Sequence, residues 1–179
     1  MHNQLQFNMK LRNIPRTPFG PVAVLWTVLD DVPRVKRVIL SRPGLPACAN
    51  VPRGSCAEID ALVKSITAIL QGQKCVIPLE VADLDSCSAF QRKILRAEYR
   101  IPRGRVTTYR KLADAAGIKN GARAAGTALA SNPFPLIIPC HRTIRADGFP
   151  GEYQGGRAMK KALLEMEGIR FDPSGRAVR

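Results

Sequence analysis

An α+β chain in two parts is what this sequence predicts: a small α+β module over residues 1–86, then a mainly helical domain over 87–179 that contains a helix-turn-helix. Three observations carry that expectation. Runs of β-branched residues crowd positions 22–40, and short capped helices separated by tight turns fill the second half. The charge is also lopsided. Lys and Arg number 28 against 14 Asp and Glu, a net +14. Residues 1–89 hold 10 basic and 7 acidic side chains, residues 90–179 hold 18 and 7, so the halves carry +3 and +11. A field of that sign in one half favours a polyanion, most simply nucleic acid; a generically basic surface is the alternative on charge alone.

At 179 residues, 45% apolar and 23% charged, the chain is long enough to bury a core and falls outside collagen-like, disordered and low-complexity compositions. No apolar run approaches the ~20 residues of a membrane span, and the start MHNQLQFNMK has no signal-peptide core. A soluble protein in the cytoplasm, or the nucleus of a eukaryote, is expected.

In the first half, Val22–Leu29 and Arg34–Leu40 read as a hairpin whose turn is Asp30-Asp31-Val32-Pro33. Residues 41–54, with three prolines and two glycines, read as a loop. A capping box, Ser55-x-x-Glu58, then opens a helix with Ile59, Leu62, Val63, Ile66, Ile69 and Leu70 on one face and Gly72 as its stop. Cys75–Val81 reads as a short strand and Leu84–Ser88 as the linker.

In the second half, Ser88-x-x-Gln91 caps a helix to about Tyr99, ended by Pro102 and Gly104. Thr108 caps Tyr109–Ala116, Gly117 stops it, and Asn120 starts a further helix over 121–130. Two short helices joined through a Gly-containing turn predict a helix-turn-helix. The second helix carries Ala, Gly, Thr and Ser, with Arg123 as its single long polar side chain. Such a smooth surface offers little to base edges, but suits close approach to a minor groove; packing through small residues is the bland alternative.

Five cysteines (48, 56, 75, 87, 140) form no CxxC pair, and the two histidines are His2 and His141. A structural metal is not expected, and free thiols in a reducing compartment are. Only Cys140 has a histidine beside it. In Leu136-Ile-Ile-Pro-Cys-His-Arg142, a short buried strand should deliver Cys140 at its end. A thiol becomes a nucleophile on losing its proton, and a nearby base takes it. Neighbours on an extended strand point to opposite sides, so His141 should reach the thiol through a turn or a water, with a third group orienting the imidazole. A buried structural cysteine beside a surface histidine is the alternative.

The run Ile138-Pro-Cys-His-Arg142, preceded by Asn132-Pro133 and followed by Gly151-x-Tyr153-x-Gly155-Gly156, resembles the methylated-DNA–protein-cysteine alkyltransferases, which repair O6-alkylguanine in DNA. The resemblance runs from Phe90-Gln91 through Gly104-x-Val106-x-Thr108-Tyr109 and Ala122-Arg123-Ala124 to Glu167-Gly168. The first half carries no diagnostic motif and is compatible with that family's ribonuclease-H-like α/β module.

The resemblance implies a suicide reaction: irreversible transfer of an alkyl group from O6 of guanine, and from O4 of thymine, to Cys140, once per molecule. It implies a monomer acting on double-stranded DNA containing O6-alkylguanine, without membrane, metal or cofactor, by flipping the nucleotide through the minor groove. Cys140 resembles the acceptor, His141 the water-mediated general base, Glu167 the carboxylate that orients it, and Asn132 the residue shaping the active-site loop. Tyr109 resembles the tyrosine that turns the target phosphate and protonates guanine, and Lys160 a lysine assisting proton transfer. Arg123 resembles the finger filling the vacated stack, with Thr108, Tyr109, Ala122, Ala124, Gly126 and Thr127 along the DNA. Tyr153 resembles the wall of the base pocket. Gln154 (backbone N–H), Thr143 and Cys140 (backbone C=O) sit where the family reads the guanine edge.

Two departures put pocket size and alkyl preference in question: Thr143 where a small aliphatic residue is usual, and Gln154 where a smaller polar one is. Other classes remain to be weighed. A non-catalytic lesion binder of the alkyltransferase-like kind lacks the acceptor cysteine that Cys140 supplies. A helix-turn-helix regulator sensing alkylation through a thiol lacks a visible sensor module. A Cys-His hydrolase leaves the smooth helix and basic half unexplained.

Overall fold

A three-stranded antiparallel meander begins the chain in the computed structural model, which describes residues 8–41 and 51–178. Its strands are β1 (Lys10–Ile14), β2 (Val22–Leu29) and β3 (Val32–Ile39). Sequence alone gives β2 closely but passes over β1, whose five residues KLRNI bury Leu11 and Ile14. The β2–β3 turn is tighter than expected. Asp30 (φ +48°) and Asp31 (φ +60°) alone make it, as a two-residue hairpin with both centres left-handed requires. Val32 and Pro33 therefore pair with Leu29 and Val28. Pro33 is tolerated because β3 lies at the sheet edge, where a missing N–H costs little.

Helix α1 (Ala57–Leu70) buries Ile59, Leu62, Ile66 and Leu70 on the predicted face. Its capping box does not form. Cys56 is the N-cap without a side-chain bond, and the Ser55 hydroxyl instead donates to Asp60 Oδ1 (2.6 Å), which Arg12 Nε also reaches at 3.0 Å. Gly72 (φ +78°) ends the helix as expected. The expected strand over Cys75–Val81 is absent: Pro78 interrupts the run, and Leu79–Val81 coil into a 3-10 turn. The expected linker is likewise packed, a second 3-10 turn over Leu84–Ser86 with Leu84 and Cys87 buried. Of the predicted loop over 41–54, residues 42–50 lie outside the described residues, as do His2 and Cys48.

The second half forms α2 (Ala89–Tyr99), β4 (Thr107–Thr108), α3 (Tyr109–Ala115) and α4 (Ala122–Ala130). Then follow β5 (Thr143–Ile144), which pairs in parallel with β4, α5 (Arg157–Met166), and a terminal hairpin of β6 (Arg170–Phe171) and β7 (Ala177–Val178). Ser88 and Thr108 cap as predicted, accepting from the backbone N–H of Gln91 (3.1 Å) and Lys111 (3.4 Å). Asn120 is left-handed (φ +54°), and Gly121 is the cap of α4. A Cβ on Gly121 would meet Ile118 Cγ2 at 2.5 Å, so close packing of the interhelical turn demands glycine there.

One cluster of buried residues runs through both halves, from Val24, Trp26 and Ile66 to Ile94, Leu112, Phe134 and Leu163. Hydrogen bonds stitch the halves together: Val38 N–H donates to Pro133 O (2.8 Å), and the Tyr99 hydroxyl to Ile77 O (2.8 Å). Among the described residues, no helix is long and apolar enough to cross a membrane.

Candidate active site

The segment expected to be a strand before Cys140 is a compact turn. Leu136 is left-handed (φ +73°), Ile138 N–H closes back on Phe134 O (2.8 Å), and Cys140–Arg142 form a single 3-10 turn. The organiser is Asn132, 1% exposed. Its Oδ1 accepts from Phe134 N–H (2.9 Å), and its Nδ2 donates to Ile138 O (3.3 Å) and to Cys140 Sγ (3.2 Å). An apolar run with no visible polar partner reads as a strand; a side chain bonding into it from outside makes it a turn. The glycine-rich loop is held to the same residue, since Gln154 Nε2 donates to Asn132 O (2.6 Å).

Burial pushes the Cys140 thiol up to about 12; the Asn132 hydrogen bond and the Lys160 ammonium pull the other way. The resting sulfur is therefore protonated and needs a base. His141 is fully buried, and burial lowers its pKa despite Glu167 beside it, so the imidazole is neutral at neutral pH. Glu167 would be raised by burial alone, but bonds from His141 and Arg142 hold it down to about 2. A carboxylate only accepts, so His141 Nε2 carries the proton and donates to Glu167 Oε1 (3.0 Å). His141 Nδ1 is then the basic nitrogen, buried and without a hydrogen-bond partner among the described residues. Arg142 clamps the carboxylate, Nε to Oε2 (2.9 Å) and Nη2 to Oε1 (2.8 Å), while its Nη1 donates to Ile101 O (2.6 Å). Sequence reasoning assigns Arg142 no such part.

Behind the thiol lies a second polar cluster. Lys160 is 1% exposed; its Nζ donates to Thr143 O (2.7 Å), and burial lowers its pKa to about 8. The Thr143 hydroxyl turns inward and donates to Glu98 Oε2 (2.5 Å). Glu98 is 0% exposed, burial raises its pKa to about 8, and its Oε1 has no partner among the described residues. Sequence reasoning misses Glu98, although its spacing from Ile94 and Leu95 puts a carboxyl on the buried face of α2, the one signal available.

Cys140 opens on a cleft of about 310 Å³ lined by Tyr109, Gly126, Leu129, Ala130, Glu152, Tyr153 and Gln154. The Tyr153 ring meets the His141 ring edge-on, with centroids 6.3 Å apart. Lys160 Nζ lies 5.9 Å from the Tyr109 ring centroid. Thr143 does not line this cleft, so its hydroxyl does not alter the cleft's width. On α4, Ala125, Ala128 and Leu129 are buried, whereas Arg123, Ala124 and Thr127 face outward and Ala122 is half-buried. The Thr127 hydroxyl bonds back to Arg123 O (3.2 Å), and Thr108 is a buried cap. The structure thus gathers Cys140, His141, Glu167, Asn132, Lys160, Tyr109, Tyr153 and Gln154 at one site. It leaves Arg123, Ala124 and Thr127 on an exposed helix face beside it.

Such a site, a buried thiol with a histidine–carboxylate pair behind it and an open aromatic cleft before it, is that of a domain built for chemistry at sulfur. Residues 89–169, most of the second half of the chain, match the family described as 6-O-methylguanine DNA methyltransferase, DNA binding domain. A methylated-DNA–protein-cysteine methyltransferase of Methanothermobacter thermautotrophicus is 46% identical over 114 residues, 64% of this chain and 64% of that protein. The chain therefore spans less than two thirds of that curated relative's length. The crystal structure of Mycobacterium tuberculosis O6-methylguanine methyltransferase aligns with TM-score 0.75 at 29% identity, covering 89% of this chain and 92% of that one. The Mycobacterium tuberculosis protein in complex with DNA aligns with TM-score 0.74 at 29% identity, covering 89% and 93%.

Proposed function

We propose that this protein repairs alkylated DNA by moving the alkyl group from O6 of guanine, and from O4 of thymine, onto Cys140. The observation that carries the reading is the Cys140 sulfur at the floor of an aromatic cleft, with the His141–Glu167 pair behind it, within the residues that match this family. A base inside a duplex is out of reach, so the nucleotide swings into the cleft, where Tyr153 is its wall and the backbone of Gln154 and Cys140 reads the guanine edge. His141 takes the thiol proton through a water, Glu167 holds the imidazole, and Asn132 and Lys160 favour the thiolate. The sulfur–carbon bond forms as the carbon–O6 bond breaks, and the leaving guanine takes a proton from Tyr109, with Lys160 assisting. A thioether does not revert to a thiol, so the protein is consumed.

In this reading residues 1–86 form a ribonuclease-H-like module and 87–179 the working domain, with α3 and α4 as a helix-turn-helix. The antiparallel meander and the adjacency of α3 and α4 support it. Arg123 fills the gap left by the flipped base, while Tyr109, Ala122, Ala124, Gly126 and Thr127 lie along the minor groove; Thr108, a buried cap, serves only to start α3. The protein acts as a monomer wherever the cell keeps its DNA. Incubation with excess duplex carrying one labelled O6-methylguanine tests the proposal: label on protein should plateau at one methyl per molecule. Label released to solvent, or repeated turnover, would overturn it.

A further inference from the structure

The terminal hairpin brings Arg176 against the turn that precedes the cleft-lining loop. Residues 145–149 form a tight turn, with Arg145 N–H donating to Phe149 O (2.9 Å) and Gly148 N–H to Arg145 O (3.1 Å). The hairpin docks there through Ala177 N–H to Gly148 O (2.9 Å). Gly148 is left-handed (φ +88°), and a Cβ on it would meet Arg176 Cβ at 3.3 Å, so glycine permits the docking. The result is an aromatic ring shared by two guanidiniums. The Arg145 and Arg176 guanidinium carbons lie 5.9 Å and 5.3 Å from the Phe149 centroid.

This feature adjoins the cleft. A Cβ on Gly151 would meet both Arg145 Cγ and the Tyr109 hydroxyl at 3.3 Å, so the Arg145 stem and that hydroxyl flank one glycine. Burial raises the Tyr109 pKa, and the Arg145 charge opposes that rise. The acidic neighbours leave the charge available. Asp147 accepts from Arg145 Nη2 (2.6 Å), but the pair is water-exposed and worth little. Asp172 is occupied by the Ser174 hydroxyl (2.7 Å) and the backbone N–H of Arg176 (2.9 Å).

We propose that Arg145 and Arg176, stacked on Phe149, form a platform that binds the phosphate backbone of DNA beside the cleft mouth. The proposal rests on the alkyl-transfer reading of the cleft. Stacking fixes two planar forks whose geometry matches phosphate oxygens, so little rotamer freedom is lost when they bind. Bonds to phosphate carry no sequence information, as a repair protein facing lesions in any sequence requires. The hairpin then serves DNA binding although it lies beyond the matched residues 89–169.

Fluorescence anisotropy on a short undamaged duplex across a salt series tests this. Removing one cation that neutralises a phosphate should flatten the log affinity–log salt slope by about 0.9. Arg145→Gln and Arg176→Gln should each do so and the double variant by about twice as much, whereas Arg176→Lys should keep the slope. Phe149→Leu should weaken binding with the slope unchanged, since the charges remain but are less fixed. A double variant with an unchanged slope and unchanged Tm would overturn the platform. Should the glutamine variants lower Tm, Arg176→Lys and Phe149→Leu decide: a flattened slope in either overturns it. Methyl transfer to Cys140 by the unaltered protein, followed in parallel, reports on the underlying reading separately.

Discussion

Asn132 Nδ2 lies 3.2 Å from the Cys140 sulfur and 3.3 Å from the Ile138 carbonyl, so one buried amide both shapes the turn and touches the nucleophile. Asn132→Ala leaves the Phe134 N–H unpaired, at a cost of about 1–3 kcal/mol, while the Ile138 carbonyl keeps only its bond from the Cys140 N–H. The expected outcome is a clearly lowered Tm together with slower Cys140 alkylation by iodoacetamide. An unchanged Tm would show that the turn holds without its organiser.

The relay is best probed with isosteres. Glu167→Ala would strand the Arg142 guanidinium, 14% exposed, and removing one partner of a buried ion pair costs about 3–5 kcal/mol. Glu167→Gln and His141→Gln preserve shape. Both should slow methyl transfer by about 10²-fold or more, the usual worth of a general base. DNA affinity should stay near that of the unaltered protein; equal losses in rate and affinity would make the pair structural.

Glu98 makes stability depend on pH. Its folded pKa is raised to about 8 from an ordinary value of 4.5, so its contribution is full below about 4.5 and is lost as pH rises through about 8. Glu98→Gln removes that loss. Relative to the unaltered protein, the variant should gain stability steadily from pH 5 to pH 8, by at most about 4 kcal/mol at ~1.4 kcal/mol per unit. Denaturant melts at several pH values measure this; parallel curves would mean that Glu98 ionises normally.

Glu98 also marks the limit of what the residues alone disclose. Ser88 and Thr108 are legible as caps because a cap is a local bond between near neighbours. Ser55 is not, because Asp60 competes for its hydroxyl. The run from Leu136 to Cys140 reads as a strand since Asn132, in the turn before it, acts on it across six and eight residues. Cys140, His141 and Glu167 are found through the pattern around Pro139-Cys140-His141-Arg142, and His141 and Glu167 do meet in space. The Glu98–Thr143 bond spans 45 positions, and nothing local announces such a pair.

Arg123 stands on the exposed face of α4, outside the Cys140 cleft. Arg123→Ala should impair repair of duplex DNA far more than reaction with free O6-benzylguanine, since a free base needs no flipping. Rates on the two substrates, compared side by side, check this. A parallel loss on both would assign Arg123 to folding.

In the proposed reaction Cys140 itself becomes alkylated. Mass spectrometry of the intact protein and of its peptides, after exposure to a duplex with one O6-methylguanine, measures that directly. The expected result is a gain of one methyl group confined to the peptide containing Cys140, and no gain in Cys140→Ser. A methyl group on any other residue, or restored guanine with no methyl on the protein, would contradict it.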